Sequence, residues 1–260
     1  MGLIDILVRW MHVLMGILWI GHLYFFNFVN GPLQAKLDGP TKKAVNPELL
    51  PRALWWFRVG ALWTWATGVL LLMTVFYHGK AVLADPSAGF TTATWIMIAV
   101  TFLAVFAYDA LMKNPLAADV KKVNTVAAVI GAIIVLLFKF YGGFSPRGTM
   151  IHLGSMFGTI MAFNVWFRIW PAQQKIVRAV KDGVAPDAEL VKLAGLRSRH
   201  NTYLSVPLLF TMLNQHASYI YGGNLGMGPS TYWIALFVIV ALGWHTVFML
   251  YKRAGKIEGF

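Results

Sequence analysis

Histidine is the residue type in this sequence with the widest chemistry. The chain contains seven histidines and no cysteine. Ionisable side chains are costly inside a bilayer, so those found there are candidates for function. Imidazole is a common axial ligand of haem iron, whereas Cys thiolates cannot contribute here. We therefore interpret the histidines inside long apolar segments as metal ligands that bind haem b; they are His12, His22, His152, His216 and His245.

The depths of these histidines within their segments sort them into two layers. At about 1.5 Å of rise per residue, His12 lies about 10 Å, His152 about 6 Å and His216 about 8 Å below the surface on the N-terminal side. His22 and His245 lie about 20–25 Å down. Two imidazoles saturate one iron, so the outer layer predicts one haem, held by His216 with either His12 or His152. The inner pair predicts a second haem or, alternatively, two histidines that only hydrogen-bond inside the bundle.

Basic and small residues accompany the outer histidines. Arg9 lies one helical turn before His12, where its guanidinium could pair with a haem propionate. Gly154 and Gly158 follow His152 as a GxxxG pair, a spacing that lets a neighbouring helix approach closely. We therefore include Arg9 in the expected cofactor site, whereas the GxxxG pair alone indicates only helix packing.

The segments that must position these residues are membrane helices. The chain is 58% hydrophobic and only 12% charged, about half the charge of an average soluble domain. A membrane helix needs about 20 mostly apolar residues. The sequence therefore predicts an all-α integral membrane protein in which residues 1–260 form a single domain, a bundle of about seven transmembrane helices. The predicted spans are 5–29, 53–78, 93–113, 123–141, 148–170, 201–221 and 231–251.

The distribution of Lys and Arg predicts the orientation. Of the 22 basic residues, only Arg9, Lys80, Lys139 and Arg147 lie on the side of the N-terminus. Cytoplasmic loops are enriched in Lys and Arg, so we expect the N-terminus outside and the C-terminus in the cytoplasm, in a bacterial inner membrane. This asymmetry accounts for the formal charge of +12 by contact with lipid and without nucleic acid. The polar piece 171–200 is expected to form an amphipathic helix, a turn and a second short helix at the cytoplasmic surface.

Several blocks of the sequence resemble a known family. Residues 147–207 carry H-L-G-S-M-F-G-T-I-M-A-F-N-V-W-F-R-I-W-P-A-Q-Q-K and then R-S-R-H-N-T-Y-L-S-V-P. The first span has R-W-M-H-V-L-M-G-I-L-W-I-G, the second has T-W-A-T-G-V-L-L-L, and the third has the pair Tyr108-Asp109. Together these blocks resemble the membrane domain of bacterial membrane-bound urate oxidases (urate hydroxylases).

The resemblance implies an oxidoreductase that oxidises urate, and it implies that His12, His152, His200 and His216 correspond to the family's own histidines. The sequence departs from the family pattern at several points. The family usually carries a further span and a C-terminal cytochrome c, whereas this sequence has no CxxCH motif. Glycine stands in the segment 56–60 where a carboxylate is expected, and His22 replaces a small residue. We therefore expect electrons to pass to a separate cytochrome c or a quinone.

The substrate pocket implied by this resemblance is expected where polar residues meet at the inner ends of the fifth and sixth spans. The catalytic candidates are Asn164, Arg199, His200 and Asn201, with Tyr203 beside them. Arg197 or Arg199 could neutralise an anionic purine there. The simpler interpretation is structural: Asn164 joins helices, Asn201 caps the sixth helix, and the arginines anchor the cytoplasmic side.

Three function classes remain open on the sequence alone, and the first two are favoured. The first is a membrane oxidoreductase with haem b that oxidises a small substrate. The second is a non-catalytic b-type cytochrome, an electron-transfer subunit of a larger respiratory membrane complex. A transporter is the weaker third class, because the sequence shows no internal repeat of the kind on which many transporters are built.

Overall fold

The computed structural model describes residues 2–114, 120–214 and 232–257, and the chain is helical almost throughout these ranges. The only extended pairing there is an isolated bridge between Leu83 and Phe144. The prediction of an all-α chain is therefore confirmed. In chain order the long helices are α1 (Gly2–Lys36), α2 (Gly39–Tyr77), α3 (Thr92–Leu111), α4 (Val120–Phe140), α5 (Pro146–Lys181), α6 (Ala188–Leu213) and α7 (Tyr232–Ala254).

Five of these helices are long and apolar enough to cross a membrane: α1, α2, α3, α5 and α7. The apolar stretch of α4, Thr125–Phe140, is shorter, and α6 is not among the five. The chain is thus a multi-pass membrane protein. The count of seven spans and the orientation of the termini stay predictions.

The helices at the more basic side are longer than the sequence analysis expected. α1 continues to Lys36 and α2 begins at Gly39. The expected short helices of 171–200 are continuous with the neighbouring long ones, because α5 runs on to Lys181 and α6 begins at Ala188. Gly183, with φ of 73°, ends α5 in the left-handed conformation that glycine adopts most easily.

The first of two compact units comprises Met1–Leu70, Met161–Val206 and Gly243–Phe260. Its buried apolar residues include Trp19, Leu23, Leu54 and Phe57. Helices α1 and α2 approach closely inside it: a Cβ added at Gly60 would lie 3.0 Å from the backbone nitrogen of Trp19. The polar site described below lies in this unit.

The second unit comprises Leu71–Ile160 and Pro207–Leu242. Its core contains Leu72, Phe76, Met97, Phe138 and Phe144, all buried. Two caps organise the connection between α2 and α3. The side chain of Asp85 accepts from the backbone nitrogen of Ser87 at the start of a 3-10 turn, and Thr91 forms a reciprocal capping box with Thr94 at the start of α3.

Three π-helical segments interrupt the long helices of the described chain. They are Phe25–Asn30 in α1, Leu72–Tyr77 in α2 and Val165–Ile169 in α5. A π turn widens the helix locally and is frequent at functional sites. Each of the three contains or adjoins a polar side chain that bonds to another helix.

Candidate functional site

A buried cluster of two amides and a guanidinium joins α5 to α6 in the first unit. Asn164 Nδ2 donates to Asn201 Oδ1 at 2.9 Å, and Asn201 Nδ2 donates to the carbonyl oxygen of Met161 at 3.0 Å. Arg197 Nη1 donates to Asn164 Oδ1 at 3.3 Å. Asn164 and Asn201 are completely buried and Arg197 is 1% exposed. We call Asn164, Arg197 and Asn201 the amide–arginine cluster.

The cluster exists because of helical spacing on α6 and a π turn on α5. Arg197 and Asn201 are four residues apart and therefore lie on one face of α6. Asn164 is the last α-helical residue before the π segment Val165–Ile169, and facing helices with polar side chains at one level can bond to each other. Asn164 and Asn201 were expected together at the inner ends of their spans, and in the structure they share a hydrogen bond.

A second polar group on α6 faces α1 and α7. Asn27, inside the π segment of α1, donates from Nδ2 to Ser198 Oγ at 2.8 Å and accepts at Oδ1 from the Tyr251 hydroxyl at 2.7 Å. Tyr24 and Ser205 share a hydrogen bond at 3.0 Å. None of these residues was among the candidates predicted from the sequence. The signal that could have found them is a polar residue, Asn27, in an otherwise apolar run.

The remaining substrate candidates lie around the same stretch of α6. Arg199 is exposed, with its guanidinium carbon 5.3 Å from the ring centroid of Tyr251, and the Tyr203 ring stacks on Tyr251 at 6.0 Å. His200 is half-buried and lies close enough to Arg197 and Arg199 to experience their positive charges. This part of the unit is therefore electropositive, as an anion site requires.

Asn201 does not cap a helix. It lies well inside α6, which begins at Ala188, and its side chain bonds to α5 instead. The alternative interpretation as an N-cap therefore does not describe its position. The helix continues upstream because residues 188–200 supply good helix formers, including Ala, Leu and Glu, before the apolar stretch begins.

His12 holds its imidazole in the form that suits an axial ligand. Its Nδ1 lies 3.1 Å from Thr67 Oγ1, and the Thr67 hydroxyl donates to the carbonyl oxygen of Trp63 at 2.5 Å. Because the hydroxyl proton is used there, Nδ1 is the donor to Thr67, and Nε2 keeps its lone pair. Gly68 lies against the ring: an added Cβ would be 3.0 Å from His12 Cε1.

His22 favours the same tautomer as His12, with the proton on Nδ1. His245 has a different environment. Nδ1 of His22 lies 2.7 Å from the carbonyl oxygen of Leu18, which can only accept a proton, so Nε2 of His22 also keeps its lone pair. His245 is exposed on α7, with its ring 6.4 Å from that of Phe248. The structure gives no direct contact between His22 and His245.

His152 is arranged differently from the other two. Its Nδ1 donates to the carbonyl oxygen of Gly148 at 2.8 Å, and its Nε2 lies 3.0 Å from the Tyr77 hydroxyl. Because Nδ1 carries the proton, Nε2 accepts from Tyr77 and its lone pair is engaged. The side chain is completely buried. In this arrangement Tyr77 occupies the nitrogen that an iron would need, and ligation of iron by His152 stays a prediction.

The remaining residues of the expected cofactor site are Arg9 and His216. Arg9 Nε bonds to Asp5 Oδ2 at 3.0 Å on an exposed face of α1. His216 lies outside the described residues, so the ligand pairs expected from the sequence stay predictions. Among the described ranges, no group of three or more His, Cys, Asp or Glu could hold a bare metal ion. A haem with two axial ligands does not need such a group.

Comparison with known proteins bears on the same segments. The model of the family described as urate oxidase N-terminal matches residues 38–258. No curated protein and no solved structure matches the chain. The matched segment includes both amides and the arginine of the cluster and the whole of α5 and α6. It covers most of the 260 residues, so the chain belongs to the urate oxidase N-terminal family.

Proposed function

We propose that this chain is a membrane-bound oxidoreductase that oxidises a small planar anion, with urate as the substrate class that its family implies. The site is the amide–arginine cluster. The observation that carries the proposal is the buried guanidinium of Arg197 held by Asn164 inside the family-matched segment. An ionisable residue buried inside a membrane bundle is by default a candidate for function.

The chemistry of the cluster suits a urate-like ligand. Urate is an anion whose rings alternate N–H donors and carbonyl acceptors. An asparagine amide offers one acceptor and two donors, so it can bond to either kind of group, and a guanidinium supplies the opposite charge. Binding would exchange the bond between Asn164 and Asn201 for bonds to the ligand. Arg199 and His200 would add positive or polar groups on the neighbouring turn.

The electrons removed from the substrate need a carrier, and we propose haem b in this role. Nε2 of His12 and of His22 each keeps a lone pair, so these two residues would hold haem, each a separate one. Haem supplies one-electron storage and transfer when bound. Partner ligands would come from other helices, with His216 and His245 as the predicted ones. A cytochrome c or a quinone would then accept the electrons.

The second candidate function is a non-catalytic electron-transfer subunit of a larger membrane complex. Gly60 favours it, because the backbones of α1 and α2 meet there and leave no space for the carboxylate expected in the family. In that case the amide–arginine cluster joins α5 to α6 and binds no substrate. The bacterial inner membrane remains the proposed location for either function.

One experiment separates the two functions. The purified protein is assayed for b-type haem by a pyridine haemochrome spectrum and then mixed with urate under anaerobic conditions. Reduction of the haem supports the oxidoreductase, and Arg197→Gln is expected to abolish it while leaving the oxidised spectrum intact. Arg178→Gln, an exposed arginine on α5, is the matched control. A haem that dithionite reduces but urate never does would refute the oxidoreductase and leave the subunit.

A further inference from the structure

The guanidinium of Arg58 is not used by the proposed function, and it lies against two indole rings of the first unit. Its Cζ is 4.1 Å from the ring centroid of Trp170 and 5.5 Å from that of Trp166. The Trp166 Nε1–H donates to the backbone carbonyl oxygen of Arg58 at 3.0 Å, so this contact joins α2 to α5. We propose that Arg58 binds the phosphate group of an anionic phospholipid at the seam between these two helices.

The described part of the chain supplies no counter-ion to Arg58. Other basic side chains there pair with a carboxylate four positions before them, namely Arg9, Arg52 and Lys113. The residue four positions before Arg58 is Leu54, and Arg58 Nε is buried without a hydrogen-bond partner. A charged donor without an acceptor is costly, and an ionisable residue within a membrane helix is a candidate for function. An anion from outside the chain would supply the missing charge and acceptors.

The indoles hold the guanidinium in place and leave its hydrogen-bonding fork available. A guanidinium attracts the face of an aromatic ring and can still donate from its N–H groups to two oxygens of one phosphate. Arg58 is half-buried, so part of its side chain is accessible from outside. Because the two rings already restrict the side chain, binding would cost little further side-chain entropy. A phosphate diester suits this fork, since it presents two oxygens that share one negative charge.

Arg58 lies at a depth from which it can reach phospholipid headgroups. The second predicted span begins at residue 53, so Arg58 lies about 8 Å below the basic surface, and arginine side chains extend toward the interface from such depths. Trp55 and Trp56 are 44% and 46% exposed, as expected for an interfacial aromatic belt. On α5, Phe167 is 60% exposed. Both helices therefore present exposed aromatic side chains to lipid close to the seam.

The positive charge of the basic side favours an anionic lipid over a zwitterionic one. The start of α2 and the end of α5 lie beside each other there, because a Cβ added at Gly183 would be 2.9 Å from Lys43 Nζ. Basic residues outnumber acidic ones in the segments 31–52 and 171–200. Basic pockets between membrane helices on the cytoplasmic side bind anionic headgroups. Arg58 lies further along the same pair of helices, where such a headgroup would meet its guanidinium.

The test is native mass spectrometry of the detergent-purified full chain with added phosphatidylglycerol, which is anionic, or phosphatidylcholine, which is zwitterionic, with the same acyl chains. We expect the parent to retain one phosphatidylglycerol, and Arg58→Gln to bind it about 10-fold more weakly. Arg58→Lys keeps the charge but loses the fork, so its affinity should lie in between. Arg178→Gln removes the same charge from an exposed position of α5 and, as the matched control, should bind like the parent.

The contribution of the indole is tested at Trp170. Trp170→Leu removes the ring nearest the guanidinium and should weaken phosphatidylglycerol binding roughly 3-fold, whereas Trp170→Phe keeps an aromatic face and should bind like the parent. A purely structural role would lower the melting temperature of Trp170→Leu and leave the lipid affinity of the folded variant unchanged. That result would contradict the part of Trp170 in positioning Arg58.

The proposal depends neither on haem nor on urate, so its failure would not affect the proposed function. Equal binding of phosphatidylglycerol by the parent and by folded Arg58→Gln would overturn it, as would equal affinity of the parent for phosphatidylcholine. In a parallel arm, inorganic phosphate is added to lipid-free protein. A rise in melting temperature that Arg58→Gln abolishes would assign the site to free phosphate and overturn the lipid. Should Arg58→Gln not fold, Arg58→Lys decides, and an affinity equal to that of the parent would overturn the proposal.

Discussion

Asn164 on α5 donates a hydrogen bond of 2.9 Å to Asn201 on α6, with both side chains completely buried. Replacing Asn164 by Leu removes this bond and leaves Asn201 Oδ1 without that donor. Since an unsatisfied buried polar group costs about 1–3 kcal/mol, we expect a clearly lower melting temperature in detergent. Asn214→Leu is the control, because Asn214 bonds only to Phe210 of its own helix among the contacts described. Equal effects of the two substitutions would contradict the importance of the interhelical bond.

Gly60 lies where the backbones of α1 and α2 approach closely in the first unit. A Cβ there would lie 3.0 Å from Trp19 N and 3.2 Å from Met15 O, and both are backbone atoms that cannot rotate away. We expect Gly60→Ala to destabilise the protein by about 1–3 kcal/mol, the usual range for overpacking. Gly21→Ala serves as the control, because a Cβ at Gly21 meets nothing within 4 Å. Thermal unfolding of both variants gives the answer.

His12 and His152 should differ in their importance for haem. We expect His12→Ala to lose b-type absorbance, because Nε2 of His12 keeps its lone pair, and His152→Gln to retain it. Thr67→Val, which removes the acceptor that orients His12, should weaken haem binding roughly 10-fold or more. The measurement is a haem titration followed by absorbance. Unchanged haem binding by His12→Ala would contradict the role of His12 as a ligand.

Topology is tested by labelling intact cells with an amine reagent that cannot cross the membrane. The basic side of the chain is expected in the cytoplasm, so Lys42 and Lys181 should react only after the cells are broken. Lys80 is the control, because it is exposed in the connection after α2 and is expected outside. Labelling of Lys42 or Lys181 in unbroken cells would reverse the orientation.

Asp85 predicts an acid-sensitive turn between α2 and α3. Hydrogen bonds from the Ser87 side chain and backbone hold the pKa of this carboxyl below its usual value of 3.8. A lowered pKa in the folded state means that the carboxylate stabilises the fold above the unfolded pKa and loses this effect as the pH falls through the folded one. The difference in melting temperature between the parent and Asp85→Ala should therefore be constant above about pH 5 and shrink below about pH 4. A difference that does not change with pH would contradict this.

The helical elements could be predicted from the sequence because apolar runs of membrane length leave few alternatives. Each predicted span overlaps one helix of the described chain, with the last part of the sixth span lying outside it. The helical extension over residues 31–52 was missed, because this segment is polar and carries prolines, which usually indicate loops. Within 171–200 two short helices were predicted, but their continuity with the neighbouring long helices was not. Pro171 is tolerated since it follows the π segment at the first turn of the next α-helical stretch.

The candidate site was predictable only in part. Asn164 and Asn201 were found together because polar residues at one depth on consecutive helices tend to meet. The partner of His152 was not found, since Tyr77 lies 75 positions away and depth alone does not select among neighbours. Which ring nitrogen of each histidine keeps a lone pair for iron also could not be predicted from the sequence. It depends on which backbone carbonyl or hydroxyl the other nitrogen faces.

The π segments determine what a single-residue deletion would do to the helices that contain them. A π turn within an α-helix corresponds to one inserted residue, so it shifts the register of everything after it. Deleting a single residue from Val165–Ile169 would restore a regular α-helix and rotate the rest of α5 by about 100° relative to Asn164. In an alignment of related sequences, a single-residue gap at one of these three segments would therefore identify a relative that has lost the polar contacts there. This would hold even where every polar side chain is retained.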